Sequence, residues 1–152
     1  MMTTRRTLIA SLGALLAMPT LAAKPTAIAM EVWKDPNCGC CKDWVKHLEQ
    51  AGFAVRVFEK GNEAKRAALG MPQALGSCHT GVVGGYAIEG HVPAKDIQRL
   101  LREKPAALGL SVPGMPIGSP GMDGAIYKGR KDPFDVLLVA KNGSSTVFQS
   151  YR

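Results

Sequence analysis

The chain has 152 residues, a formal net charge of +7 and hydrophobic residues at 46% of its positions. Its basic residues are scattered without a long basic run, and aromatic side chains do not interleave with them. The charge therefore indicates a solvated surface and gives no support for nucleic-acid binding.

The N-terminal residues have the pattern of an export signal. Two adjacent arginines, Arg5 and Arg6, precede an apolar stretch at 8–18 and a few small residues. This order is typical of a secretory signal peptide, and the stretch is shorter than the roughly 20 apolar residues of a membrane span. Paired arginines also suit twin-arginine export, so the sequence leaves this route and the general secretory route open. We predict a signal peptide over residues 1–23, one exported domain over residues 24–152, a periplasmic location and no stable membrane anchor.

Strand and helix signals alternate through the first part of this domain. Short runs rich in β-branched and aromatic residues predict strands, and apolar residues at i, i+3, i+4 and i+7 from Cys41 predict a helix. A Gly-Gly pair between two strand signals predicts a hairpin. In chain order, the predicted elements are a strand at 28–33, a helix from Gly39 to Gly52, a strand at 53–58, a helix at 62–69, hairpin strands at 80–83 and 86–89, and a helix from Pro93 to Lys104.

The second part of the domain begins with a segment rich in glycine and proline. This segment runs from Ala106 to Gly124 and predicts a long loop of the kind that is usually functional or disordered. A closing hairpin follows, with strands at 135–140 and 146–149. The order of the earlier elements predicts an α/β fold of the thioredoxin-like type, to which the loop and the extra hairpin are added.

All four cysteines of the chain fall in two short segments. Cys38, Cys40 and Cys41 form a CxCC motif where the first helix is predicted to begin, and Cys78 lies just before the hairpin. A helix N-terminus favours thiolate over thiol, and thiolates are both nucleophiles in disulfide exchange and soft ligands for Cu(I), zinc and iron–sulfur clusters. Because adjacent Cys40 and Cys41 are expected to point apart, several Cu(I) ions sharing bridging thiolates would use the motif better than one ion. Cys41 by itself would also suit a small buried hydrophobe.

Other candidate ligands lie near these cysteines or in the long loop. His79 follows Cys78 directly and either coordinates a metal or caps a turn. Met115 and Met122 lie in the Gly/Pro segment, and thioethers bind Cu(I), although methionines also anchor such loops by packing. His91, after the hairpin, is predicted to cap a turn or to face solvent, with a ligand role as the weaker alternative, and the histidine of the first helix is predicted to be exposed.

Four segments of the chain resemble the CopG-like metal-binding proteins, which are small exported bacterial proteins associated with copper resistance. The segments are 35–41, 77–80, 85–93 and 114–122. They occur in order and span nearly the whole exported domain. The resemblance implies a thioredoxin-like fold, copper bound through the CxCC cysteines, and a periplasmic role in copper handling that includes interconversion of Cu(I) and Cu(II).

The resemblance also implies a ligand set. Its residues are Cys38, Cys40, Cys41 and Cys78, with Met115 and Met122 as additions. The favoured hypothesis is therefore a periplasmic protein of copper homeostasis or resistance that holds Cu(I), acting as a binding and transfer protein or as a copper oxidoreductase. Its expected partners are copper ions and other periplasmic copper-resistance or efflux proteins.

A thiol–disulfide oxidoreductase is the main alternative. It would use Cys38 and Cys41 as its redox pair and Cys78 as a resolving thiol. Two features weigh against it, since segment 77–80 lacks the proline that thioredoxins place there in the cis form, and the third thiol of the motif invites mispairing. An oxidising periplasm would lock Cys38 and Cys41 as a disulfide and empty a metal site, which links this alternative to the copper hypothesis.

Two other metal sites are weaker alternatives. Three cysteines with His79 make a legitimate tetrahedral zinc set, but the CxCC spacing is unlike common zinc fingers and the methionines would be unexplained. Four thiols could also hold an iron–sulfur cluster, which would be unprotected in an oxidising compartment.

Overall fold

The computed structural model describes residues 26–152, and the predicted signal peptide at 1–23 lies outside these residues. The described residues form seven strands and three α-helices. These are β1 Ile28–Lys34, α1 Gly39–Gln50, β2 Phe53–Phe58, α2 Glu63–Ala68, β3 His79–Val83, β4 Tyr86–Glu89, α3 Ala94–Glu103, β5 Gly109–Ser111, β6 Phe134–Val139 and β7 Ser145–Tyr151. None of these helices is long and apolar enough to cross a membrane.

All seven strands belong to one sheet, in the order β2-β1-β3-β4-β5-β6-β7. β1 pairs with β2 in parallel and with β3 in the antiparallel sense, and β3 and β4 form the predicted hairpin. β4 pairs in parallel with β5, which leads into the antiparallel β6–β7 hairpin. The predicted α/β fold of the thioredoxin-like type is confirmed, with the closing hairpin extending the same sheet.

Strand β5 is the element that the sequence analysis missed, because it lies inside the segment predicted to be a loop. It has only three residues, too few for an alternating pattern to be recognised. Gly109 opens this strand and pairs with Ala87 of β4. A Cβ atom at Gly109 would overlap the backbone of Ala87, and so this glycine is what lets β5 approach the sheet.

One face of the sheet carries apolar side chains, and the other carries buried polar side chains. Helices α1 and α3 contribute to the main hydrophobic core, together with alternate residues of the strands such as Val83 and Ile88. The intervening positions Thr80 and Glu89 contact the α2 side instead, through Asn62. Because side chains alternate along a strand, β3 directs His79 to the α1 face and Thr80 to the α2 face.

His47 in α1 corrects one expectation. It is half-buried rather than exposed, and its Nε2 atom accepts a hydrogen bond from the Ala94 N–H at 3.1 Å. Burial lowers the pKa of His47, so the ring is neutral and can accept this bond. The contact satisfies one of the free N–H groups at the start of α3 and joins the two helices.

Candidate metal centre

The first turn of α1 carries the CxCC motif. Cys38 immediately precedes the helix, and Cys40 and Cys41 lie in its first turn. The buried face of α1 fixes this turn against the sheet, and Trp44 at its centre is 0% exposed. The Trp44 indole N–H donates to the carbonyl of Val92 at 2.9 Å, which ties α1 to the segment after β4.

The four cysteine sulfurs form one cluster, and their Sγ atoms all lie within 4.8 Å of one another. Cys40 Sγ lies 3.5 Å from Cys38 Sγ and 3.9 Å from Cys78 Sγ. Cys41 Sγ lies 3.5 Å from Cys78 Sγ. Adjacent Cys40 and Cys41 therefore both reach Cys78, against the expectation that they would point apart, because Cys78 lies opposite the first turn of the helix.

Two of these cysteines are oxidised. Cys38 and Cys41 are joined by a disulfide, whereas Cys40 and Cys78 are free. Only the thiolate form of cysteine is a good metal ligand, and so the disulfide withholds two of the four sulfurs. The cluster can offer four thiolates only after this bond has been reduced.

Two buried imidazoles extend the cluster beyond Cys78. Cys78 Sγ lies 3.3 Å from His79 Nδ1 and 3.2 Å from His91 Nε2. These three ligand atoms also lie within 4.8 Å of one another. We define the thiol group as Cys38, Cys40, Cys41 and Cys78. We define the thiol–imidazole group as Cys78, His79 and His91, so that Cys78 belongs to both.

His91 is the site residue to which sequence reasoning gave too little weight, because it favoured capping or exposure over a ligand role. It neither faces solvent nor merely caps a turn, because it is 0% exposed and contacts Cys78. The hairpin register held a signal for it. β3 and β4 pair Thr80 with Glu89, and the Gly90 N–H donates to the His79 carbonyl at 3.0 Å. Continuing this register by one residue at each end places Cys78 opposite His91.

Backbone carbonyls fix the orientation of both rings. His79 Nε2 lies 2.9 Å from the carbonyl of Gly90, and His91 Nδ1 lies 2.8 Å from the carbonyl of Pro120. A carbonyl oxygen can only accept a hydrogen bond, so each of these nitrogens carries the proton. The opposite nitrogen of each ring then presents its lone pair towards Cys78, which is the arrangement found in metal-binding histidines.

Burial controls protonation in the thiol–imidazole group. It lowers the pKa of His79, to which the charges of His91 and Lys34 also contribute, and it lowers the pKa of His91. Burial, reinforced by Cys40, raises the pKa of Cys78 to about 12. The metal-free site therefore holds neutral imidazoles and a protonated Cys78, and a bound metal ion would displace the thiol proton.

The two predicted methionines lie in different surroundings. Met115 is 52% exposed and lines a cleft of about 510 Å³ whose wall also includes Cys38 and Cys78. Met122 is buried, and its sulfur accepts a hydrogen bond from the Tyr127 hydroxyl at 3.3 Å. The Gly/Pro loop thus places one thioether at the mouth of the cleft and packs the other.

The same loop closes over the start of α1. Gly121 has a φ of +86°, and a Cβ atom there would lie 2.6 Å from the carbonyl oxygen of Cys40 and 2.8 Å from the backbone nitrogen of Trp44. Only glycine permits this close approach. The neighbouring Pro120 carbonyl is the acceptor for His91. The loop therefore packs against the first turn of α1 and orients one of the two imidazoles.

The chain is similar to one family and to two solved structures. The family described as "Protein of unknown function, DUF411" matches residues 75–122. Two solved structures are similar, "Copper resistance protein copG- Form 1" and "Copper resistance protein copG- Form 2", each 46% identical with a TM-score of 0.76. They cover 82% and 83% of this chain, which in turn covers 98% and 99% of theirs. The curated proteins include no significant match.

Proposed function

The chain belongs to the CopG family of copper resistance proteins, and we propose that it is a periplasmic protein that binds Cu(I) through its CxCC motif and Cys78. The observation that carries this proposal is the convergence of four cysteine sulfurs within 4.8 Å of one another. The predicted signal peptide supports the location, and the names of the similar structures support a role in copper resistance.

The donor atoms favour Cu(I) over harder cations. Thiolate sulfur is a soft ligand that suits Cu(I), and imidazole nitrogen is also a common copper ligand. Zinc would accept the same cysteines and histidines. Met115 distinguishes the two metals, because a thioether beside the cleft has little attraction for zinc.

The shared position of Cys78 supports more than one copper ion. Its sulfur lies within 3.5 Å of Cys41 Sγ on one side and of His79 Nδ1 and His91 Nε2 on the other. A thiolate has enough lone pairs to bridge two metal ions. We infer that Cys78 bridges an ion in the thiol group and an ion in the thiol–imidazole group.

The disulfide supports a redox role in addition to binding. Reduction of the Cys38–Cys41 bond takes two electrons and two protons from an external dithiol and yields two thiols. The reverse step releases two protons and two electrons, and these electrons reduce two Cu(II) ions to Cu(I) while the disulfide forms again. The pair would therefore couple copper oxidation state to the number of thiolates that remain to hold the metal.

Anaerobic titration of the reduced protein with Cu(I), in competition with a chromogenic Cu(I) chelator, tests the proposal. We expect tight binding of more than one ion per chain. The double substitution Cys38→Ser with Cys41→Ser should reduce both the affinity and the number of ions. The matched control is the natural chain with Cys38–Cys41 oxidised, which should resemble the double variant. An unchanged affinity in the double variant would refute the ligand assignment.

A thiol–disulfide oxidoreductase is the second candidate, and the Cys38–Cys41 disulfide beside Cys78 is the observation that favours it. Its activity would not require metal. Rapid reduction of insulin disulfides by the metal-free protein, with turnover unchanged on copper addition, would favour this candidate over the copper function.

A further inference from the structure

A buried ion pair lies on the opposite face of the sheet from the imidazoles. Glu89 at the end of β4 is 0% exposed and Arg66 of α2 is 5% exposed, and Arg66 Nη1 lies 3.2 Å from Glu89 Oε1. Taking two charges out of water is costly, and apolar residues of similar size often stabilise a fold equally well. Stability alone therefore does not explain this pair.

The pair fixes both sides of one residue, Ser77. The Ser77 N–H donates to Glu89 Oε1 at 2.7 Å, and the Ser77 carbonyl accepts from Arg66 Nη1 and from Asn62 Nδ2, each at 3.1 Å. The peptide groups before and after Ser77 are thus both bound by buried side chains. Hydrogen bonds to charged groups are stronger than neutral ones, and so these contacts resist rotation of the two peptide planes.

Other contacts hold the pair in place. The Thr80 hydroxyl donates to Glu89 Oε2 at 2.6 Å, between strand positions that face each other in the β3–β4 register. Arg66 Nη2 donates to the side-chain carbonyl of Gln73 at 3.1 Å. Within the described residues, every buried side-chain nitrogen or oxygen has a hydrogen-bond partner. A fully satisfied polar network of this kind specifies one conformation.

Close packing acts on the same segment. Gly90 has a φ of +73°, and a Cβ atom there would lie 2.7 Å from the Cβ of Ser77. At Gly76, a Cβ atom would lie 3.0 Å from Arg66 Nη1. The segment before β3 is therefore held by close packing at these two glycines as well as by the ion pair, and we call this arrangement the clamp.

The residue that follows this clamp is Cys78, the sulfur shared by both ligand groups. The peptide group that carries the Ser77 carbonyl also carries the N–H of Cys78, so its orientation sets the direction of the Cys78 side chain. We propose that Glu89 and Arg66 are positioning residues, which hold the Ser77–Cys78 backbone so that the Cys78 sulfur meets its partners in both groups. The copper arm of this inference rests on the proposed function.

The copper arm compares Glu89→Gln with the natural chain. The substitution preserves size but removes the charge, which weakens the acceptor for Ser77 and leaves Arg66 without its counter-ion. We expect Cu(I) affinity of the reduced protein, measured against a chromogenic chelator, to fall by about 10- to 100-fold, as is typical of residues that orient metal ligands. The sulfur-to-copper absorption bands should shift as well. Thr80→Val, which removes one contact to Glu89 and keeps the pair, should act in the same direction with a smaller loss.

Val83→Ala is the matched control, since it removes buried methyl groups at the other end of β3. A merely structural role for the ion pair would lower the melting temperature in Glu89→Gln and in Val83→Ala alike, with Cu(I) affinity and absorption bands unchanged in both. That outcome would overturn the proposal. Selective loss of affinity in Glu89→Gln and Thr80→Val would support it.

A second arm needs no copper. In a chain carrying Cys38→Ser and Cys41→Ser, Cys40 and Cys78 are the only cysteines left. Diamide would oxidise this pair to a disulfide and would itself take up the two electrons and two protons. Because the rate depends on the approach of the two sulfurs, Glu89→Gln in this background should slow closure by about 10-fold or more. Val83→Ala should leave the rate unchanged.

The two arms separate the two claims. If the natural chain binds no Cu(I) but Glu89→Gln still slows closure, the proposed copper function fails and the positioning role stands. If the closure rate is the same with and without Glu89→Gln, the positioning role is refuted, whatever the copper affinity.

Discussion

The thiol group and the thiol–imidazole group share Cys78 but respond to different conditions. In the thiol group, Cys38 and Cys40 are partly exposed and the Cys38–Cys41 pair is oxidised. In the thiol–imidazole group, His79 and His91 are fully buried, and each ring is oriented by a backbone carbonyl. The redox state of Cys38 and Cys41 therefore controls how many thiolates the thiol group can offer. Burial controls protonation in the thiol–imidazole group, and both groups depend on the sulfur of Cys78.

Removal of the shared sulfur should have the largest effect. Cys78→Ser deprives both groups of a ligand. The loss of a residue that only orients a ligand lowers metal affinity by up to about 100-fold, and we expect Cu(I) affinity to fall further than that in Cys78→Ser. The matched variant is Cys40→Ser, which removes a sulfur from the thiol group only. Competition titrations of the reduced proteins should give a smaller loss for Cys40→Ser. Equal losses would mean that the two groups are not joined at Cys78.

Loss of one imidazole should affect one group only. His91→Gln removes the nitrogen that lies 3.2 Å from Cys78 Sγ. We expect the number of bound Cu(I) ions to fall while the thiol group keeps its affinity, and the overall affinity should drop by about 10-fold. His47→Gln is the control, because His47 contacts the α3 N-terminus and lies outside both groups. If His47→Gln has the same effect, the assignment of His91 is wrong.

Acid should destabilise the metal-free protein through its buried histidines. The pKa values of His79 and His91 lie below the ordinary value, because burial disfavours their charged forms. Below about pH 6.5 these histidines become protonated in the unfolded chain but stay neutral in the folded chain. The free energy of unfolding should therefore fall by about 1 kcal/mol per pH unit for each ring. Urea unfolding at two pH values on either side of this point measures the change.

Comparison with His91→Gln isolates this contribution. Burial raises the pKa of Glu89, so Glu89 changes stability with pH in the opposite sense, and it is present in both chains. The variant should lose less stability on acidification than the natural chain. An equal or steeper dependence in the variant would show that His91 is not held neutral by burial.

The exposed methionine should have the smallest effect. Met115→Leu keeps the shape of the side chain but removes the thioether at the cleft. Because the thiolates dominate the binding of a soft ion, we expect equilibrium affinity to change by less than about 3-fold while Cu(I) transfer from a chelator becomes slower. Met71→Leu, at a buried methionine that packs with Ala87 and Val139, is the control. An equal change in both variants would exclude a ligand role for Met115.

Much of the fold could be predicted because its signals are local. The apolar spacing in α1 depends on one helix face, and Cys41, Trp44, Val45 and Leu48 are all buried as that spacing predicts. The Gly-Gly turn likewise marks the β3–β4 hairpin. β5 could not be predicted, because its pairing with β4 depends on the close approach of Gly109 to the backbone of Ala87. That contact exists only in the folded chain and leaves no local pattern in the sequence.

The site divides in the same way. The CxCC motif and Cys78 stand out in the sequence because thiols are rare and clustered. His91 and Glu89 carry no such local signal, since His91 reaches Cys78 through the hairpin register and Glu89 pairs with Arg66 from another element. The spacing of Cys40 and Cys41 was misleading for a related reason, because both sulfurs lie close to Cys78, whose position the spacing does not reveal.

X-ray absorption at the copper edge of the reduced, Cu(I)-loaded protein identifies the atoms that bind copper. We expect a first shell dominated by sulfur, with a nitrogen contribution that decreases in His91→Gln and a copper–copper distance that disappears in Cys78→Ser. A first shell of nitrogen or oxygen alone, or a spectrum that neither substitution alters, would contradict the ligand assignment.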